Sequence, residues 1–191
     1  MNRRRALQLL LLAAGSTLLG GHTPYGQWVV YRRKHLLIGC HREDAETYRL
    51  AKEIVAALET HLPSAEPRVA RGPTAGRIAS LIGTRQMEVA VLGWPEAVGM
   101  ANGASPFEPY GAIPLRLLAP VGSRALVARA DFPDRHAWLV GHGVSDGGVV
   151  QLALGLRAYP VPWHPGALAF FMGKPEPDPV ADEVVSEVPA E

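Results

Sequence analysis

Cys40 and His41 stand side by side after a short apolar run, His35–Gly39 (HLLIG), and just ahead of a helical pattern. A thiol next to an imidazole at a helix start is an arrangement in which a base can raise a thiolate for nucleophilic attack. Two points oppose that reading. Adjacent side chains on an extended segment point apart, and no third residue that would orient the base stands nearby. The expected role of Cys40 is therefore a small buried residue at a strand end. The seven histidines (His22, His35, His41, His61, His136, His142 and His164) contain no H-x-x-x-H or H-E-x-x-H pair, so no metal site is expected. His164-Pro165-Gly166 reads as a turn. Asp131 and Asp134 form a carboxylate pair in sequence, but Phe132-Pro133 between them reads better as a capping turn. No Walker A pattern occurs, and the glycines of Gly15–Gly21 make no dinucleotide fingerprint, so no cofactor is expected.

The elements that must position these residues follow from periodicity. His35–Gly39 reads as a buried strand. Across Glu43–His61, the residues Tyr48, Ala51, Ile54, Val55, Leu58 and Leu62 recur at helical spacing, with Arg49, Lys52, Glu53 and Glu59 between them and Pro63 as the stop. Glu43 or Asp44 at its start suits the positive end of the helix dipole. Glu66–Arg71 is a second strand and Gly72-Pro73-Thr74 a turn, with Thr74 a candidate N-cap. Ala75–Ile82 is a short helix with Gly83 as its stop. Glu88–Gly93 is a mostly apolar strand expected to be buried on both faces. Pro95–Met100 starts a further helix, Asn102–Gly111 reads as an exposed loop, and Leu115–Ala119 and Arg124–Ala130 are two more strands. Arg135 to Val144 is a helix, Val149–Leu156 fits strand or helix, Tyr159–Pro165 is extended, and Ala167–Met172 is one or two helical turns. Strands and helices alternating with short loops make a mostly parallel α/β sheet flanked by helices the expected architecture.

Charge separates the 191-residue chain into unlike pieces. Residues 1–21 carry Arg3, Arg4 and Arg5 with no acid, a charge of +3, followed by uncharged Ala6–Gly20. That pattern fits an export signal, with adjacent arginines of the twin-arginine kind but without the usual Ser and Phe around them and without an A-x-A before Gly21-His22. A retained anchor is the other reading, since Gln27–Tyr31 (QWVVY) and Arg32-Arg33-Lys34 follow. A buried N-terminal helix of a cytosolic protein is the third. Residues 174–191 set Lys174 against six acids, a charge of −5, and read as an acidic, Pro-rich disordered tail. The middle, 22–173, carries 15 basic against 12 acidic residues. It is long enough for one domain and short for two. Its mild charge is no nucleic-acid footprint, and one cysteine excludes an intrachain disulfide framework and a Cys-rich zinc site.

Three stretches in order resemble the solute-binding subunits of TRAP transporters, of the TAXI type. They are LLIGCHREDAETYRLAKEIVAALE from Leu36, RVARGPTAGRIASLIGTRQMEVAVLGW from Arg68, and RALVARADFPDRHAWLVGHGV from Arg124 followed by WHPGALAFF from Trp163. The resemblance implies a periplasmic-binding-protein type II-like fold, two α/β lobes joined by crossing strands with the ligand in the cleft. It implies that this chain keeps the first lobe and the C-terminal return to it. The second lobe would lie between Trp94 and Arg124, where only residues 95–123 stand. Ligands of open parallel sheets sit beyond the carboxyl ends of the strands. Here those ends are Gly39-Cys40-His41, Gly72-Pro73-Thr74 and Gly93-Trp94, and helix N-termini after the first two offer N–H groups to an anion. The ligand-binding set this implies is Cys40, His41, Arg42, Thr47, Tyr48, Gly72, Thr74 and Trp94. Thr47-Tyr48 match the family's first loop, whereas His41, Arg42, Glu43 and Asp44 replace its glycines. Glu43 and Asp44 oppose a carboxylate ligand, which His41 and Arg42 could offset. Thr74 stands where the family has a Ser or Thr near the ligand, with N-capping as its other role. Trp94 stacks on a solute, fills an interface or serves ordinary packing.

Two functions follow as expectations, both non-enzymatic. The first is a periplasmic receptor or sensor for a small organic acid, a carboxylate, working with a membrane transporter. The second is an accessory or structural subunit that reuses the lobe as a protein-interaction module among membrane-complex subunits. Either is expected in the bacterial periplasm or on the periplasmic side of the membrane. An enzyme built on Cys40 and His41 is a third, weaker reading.

Overall fold

The structure, a computed structural model, describes residues 35–150 and 158–178. The leader at 1–21, Gln27–Tyr31, most of Val149–Leu156 and residues 179–191 of the tail lie outside the described residues. Five strands carry the fold: β1 (Leu37–His41), β2 (Arg68–Gly72), β3 (Val89–Gly93), β4 (Leu115–Val121) and β5 (Arg124–Arg129). The helices are α1 (Ala45–His61), α2 (Ala75–Gly83), α3 (Trp94–Asn102), α4 (Asp134–Asp146) and α5 (Pro165–Phe171).

The sheet runs β2-β1-β3-β5-β4. β1 pairs in parallel with β2 and β3, while β5 is antiparallel to both β3 and β4. The protein is thus an α/β lobe with a mixed five-stranded sheet, which corrects the expectation of a mostly parallel one. The reason is the link between β4 and β5. A parallel crossover needs a dozen or more residues, and only Gly122-Ser123 separate these strands, with Gly122 at φ 58° in the left-handed region. A hairpin is all that such a link permits.

Each face of the sheet has its own core. β3 is buried along its whole length, with Val89 and Val91 on one side and Ala90 and Leu92 on the other, as its unbroken apolar run requires. On the first side Ile54 and Leu58 of α1 meet Leu118, Leu126, Val140 of α4 and Ala167 of α5. On the second, Ile78 and Ile82 of α2 meet Met100 of α3, Leu117 and Val127. Phe107 is buried at 3% exposure in this second core, so the segment expected as an exposed loop contributes a core residue.

The C-terminal end of α2 differs from expectation. Gly83 is the last residue of α2 rather than its left-handed stop; Thr84 is the cap and Arg85 takes the positive φ, 57°. The chain turns later because the N–H groups of both Gln86 and Met87 return to the Leu81 carbonyl. At the other end, residues before α5 cover the free edge of β4. The Leu117 N–H donates to the Pro162 carbonyl and the His164 N–H to the Leu117 carbonyl, each at 2.8 Å. His164 then caps α5, as the turn reading of His164-Pro165-Gly166 requires. It is buried, its Nδ1 accepts from the Gly166 N–H at 3.3 Å, and its Nε2 lies 2.8 Å from the Phe132 carbonyl. Burial holds its pKa below the ordinary value, against the pull of Asp134 and that carbonyl, so the neutral ring donates through Nε2 and accepts through Nδ1.

Candidate functional site

The carboxyl ends of β1, β2 and β3 lead into α1, α2 and α3, which brings the three loops to one edge of the sheet. At the first loop Asp44 is the N-cap of α1. Its Oδ1 accepts from the N–H groups of Glu46 and Thr47 at 3.0 and 3.2 Å. A carboxylate of the chain itself therefore occupies the position where a helix N-terminus would receive an anion. It is also held from the far side. Arg124 Nη2 lies 3.1 Å from Asp44 Oδ2 and 3.0 Å from Glu46 Oε2, and Ser123 Oγ donates to Glu46 Oε1 at 2.9 Å. The β4–β5 turn is thereby latched onto the start of α1. Of the two acids that oppose a carboxylate ligand, Asp44 is paired with Arg124, whereas Glu43 is exposed.

The remaining residues of the expected set have local employment. Thr47 is buried and its hydroxyl donates to the Asp44 carbonyl at 3.0 Å. Thr74 caps α2 by accepting from the Arg77 N–H at 3.1 Å. Gly72 is buried, and a Cβ there would lie 2.7 Å from Ile78, so the glycine serves the packing of α2 on β2. Trp94 is half-buried and stacks on Tyr159 with centroids 5.2 Å apart and planes 6° apart. The third helix start is also self-capped, since the Gly93 N–H donates to Glu96 Oε2 at 3.0 Å. Arg42 and Tyr48 are brought close to Arg71: the Arg42 N–H donates to the Gly72 carbonyl, and Arg71 lies over the Tyr48 ring.

Cys40 is fully buried in the first core, and His41 follows it on the strand. Burial pushes the Cys40 thiol up to about 11, with Arg71 opposing this and Asp44 adding to it. A nucleophile needs the reverse, a lowered pKa and access. At about pH 8 such a thiol is ionised in roughly one molecule in a thousand. Iodoacetamide is therefore expected to leave Cys40 unmodified in the native protein and to label it fully in denaturant, followed by intact mass. Native labelling at the rate of a free thiol would contradict this assignment. Among the described residues no group of three or more His, Cys, Asp or Glu side chains could hold a metal ion.

Arg124, Ser123, Glu46 and Arg71 are the site residues that sequence reasoning missed. Ser123 pairs with Glu46 across 77 positions and Arg124 with Asp44 across 80, and nothing local in the sequence marks such partners. Compared with known protein families and with curated proteins, the chain matches none.

Proposed function

We propose that the chain is an exported, non-enzymatic protein of the TRAP/TAXI solute-binding type, reduced to one lobe, which serves a membrane transporter or a membrane-bound complex as an interaction module. The observation that carries this is the path of β4 and β5. In a two-lobed protein joined by crossing strands, one strand leaves the first lobe and another returns antiparallel beside it. β4 runs with β1, β2 and β3, and β5 returns antiparallel between β3 and β4. The point at which a second lobe would be inserted is then Gly122-Ser123, closed here by a two-residue turn. The basic start and the uncharged run Ala6–Gly20 support export. The described residues contain no helix long and apolar enough to cross a membrane.

The occupied first loop favours the module over the receptor. A single lobe leaves a small ligand open on one side, whereas receptors bury most of a ligand's surface by closure. One observation favours the receptor reading, a small organic acid at the second loop. The N–H groups of Ala75 and Gly76 at the start of α2 have no capping partner among the described residues.

Native purification from the source membrane fraction tests the two together, scored for co-purifying chains and for small acids released on denaturation. A stable complex free of small acids is the expected result. A lone monomer carrying a stoichiometric carboxylate would replace the module with the receptor.

A further inference from the structure

We propose that the surface around Tyr48 is a docking site for an acidic, extended segment of a partner protein. This rests on the interaction-module reading and names the chemistry of its partner. Tyr48 lies in the first turn of α1, half-buried against the first core. Two cations face its ring. Lys52 Nζ, one turn further on, stands 4.8 Å from the ring centroid, and the guanidinium carbon of Arg71, from β2, stands 5.1 Å from it. The main-chain bond from Arg42 to Gly72 brings a third cation to the end of β2.

All three cations are exposed, and none takes part in an ion pair among the described residues. Neighbouring arginines behave differently. Arg49 pairs with Glu53, Arg68 with Glu59, and Arg124 with Asp44 and Glu46. Glu43, also exposed, is the acid that remains beside Arg42. Like charges gathered on one ring repel one another, and carboxylates from outside relieve that repulsion. Guanidinium groups accept a carboxylate in a two-pronged bond, and a tyrosine supplies rigid contact area between them.

The position suits an extended segment. β2 is the border strand of the sheet. Its Arg68 N–H and Gly72 carbonyl bond toward the β1 side, so strand alternation turns the main-chain groups of Val69 and Arg71 outward. Pro67 and Pro73 flank the strand and keep that edge short. Charge, rather than a long strand ladder, therefore carries the affinity.

The test uses the full chain and a fluorescent hexa-glutamate peptide as the acidic probe. Saturable binding is expected, weakening about fivefold or more between ~50 mM and ~300 mM salt as screening shortens the reach of exposed charges. Reversing both charges, Lys52→Glu with Arg71→Glu, is expected to abolish it. Arg85→Glu, at the other end of the sheet, is expected to leave it unchanged. Circular dichroism and unfolding midpoints establish that each variant is folded. Absence of saturable binding at low salt, or equal loss in Arg85→Glu, overturns the proposal. So does binding to phosphatidylglycerol vesicles with none to the peptide. If partner subunits co-purify equally with the doubly reversed chain, this surface is not the docking site while the module reading stands. Peptide binding at this surface with no co-purifying chain upholds the surface and removes the module reading.

Discussion

Gly166→Ala is expected to destabilise the lobe by about 3 kcal/mol or more, the upper range for forcing a methyl into a packed site. A Cβ built on Gly166 would lie 1.9 Å from the Asp134 carbonyl oxygen and 2.6 Å from its carbon. Both atoms are main chain, so no rotamer change relieves the clash. α5 would have to lift away from the start of α4. That movement would pull the Gly166 N–H from His164 Nδ1 and His164 from the Phe132 carbonyl, bonds of 3.3 and 2.8 Å. It would also expose Ala167, which is fully buried in the first core. Thermal unfolding followed by circular dichroism should show a midpoint lower by roughly 10 °C. A change under about 2 °C would mean that α5 is not seated as described.

Arg129→Ala is the second large effect, with an expected cost of about 2–3 kcal/mol. Arg129 is 8% exposed and donates from each of its three guanidinium nitrogens. Nε and Nη2 donate to the two carboxylate oxygens of Asp131 at 2.8 and 3.2 Å, and Nη1 donates to the Ile82 carbonyl near the end of α2 at 3.0 Å. Alanine would leave that carbonyl without its partner and open a gap beneath α2. The pH dependence separates the parts. Hydrogen bonding to Arg129 holds the Asp131 carboxyl below the usual range, against a smaller effect of burial, with Arg85 helping. A lowered folded pKa means that the unfolded chain binds the proton more readily, so this stabilisation is present above about pH 4 and lost as pH falls through the folded pKa. Urea titrations should therefore show the gap between native and variant narrowing below about pH 4, while the share due to the carbonyl and packing persists. A gap constant down to low pH would remove Asp131 from the account.

Much of the first half of the fold is legible in the residues themselves. The spacing of Tyr48, Ala51, Ile54, Val55 and Leu58 is a one-sided stripe that only a helix can bury on one face, and α1 buries Ala51, Ile54, Val55 and Leu58. Asp44 and Thr74 are short polar residues just ahead of such stripes, and both cap their helices. The unbroken apolar run Val89–Gly93 has no polar face to show to water, and β3 has none. These are local effects, each complete within a turn of helix or a few residues of strand.

The site was less legible, and the reason is distance along the chain. The sequence places Glu43 and Asp44 where a carboxylate ligand would meet repulsion, but it does not mark Arg124 as the group that neutralises Asp44. That pairing exists because β5 inserts between β3 and β4, and this insertion follows from ladders such as Gly93↔Arg124 and Val121↔Arg124. Trp94 shows the same limit. A tryptophan at a strand end is compatible with a solute or with packing, and Tyr159, 65 positions further on in the sequence, is what it stacks against.

The helices α1 and α2 with their N-caps Asp44 and Thr74, the buried strand β3 and the edge of the sheet to which three loops come are written in the residues, because apolar periodicity and N-capping are settled by neighbours a few residues apart. The mixed sheet, the chain's own carboxylate filling the first loop under Arg124, and the meeting of Lys52 and Arg71 on one tyrosine ring arise in three dimensions. Strand insertion and charge pairing depend on which distant segments share a sheet, and no local pattern of residues encodes that choice.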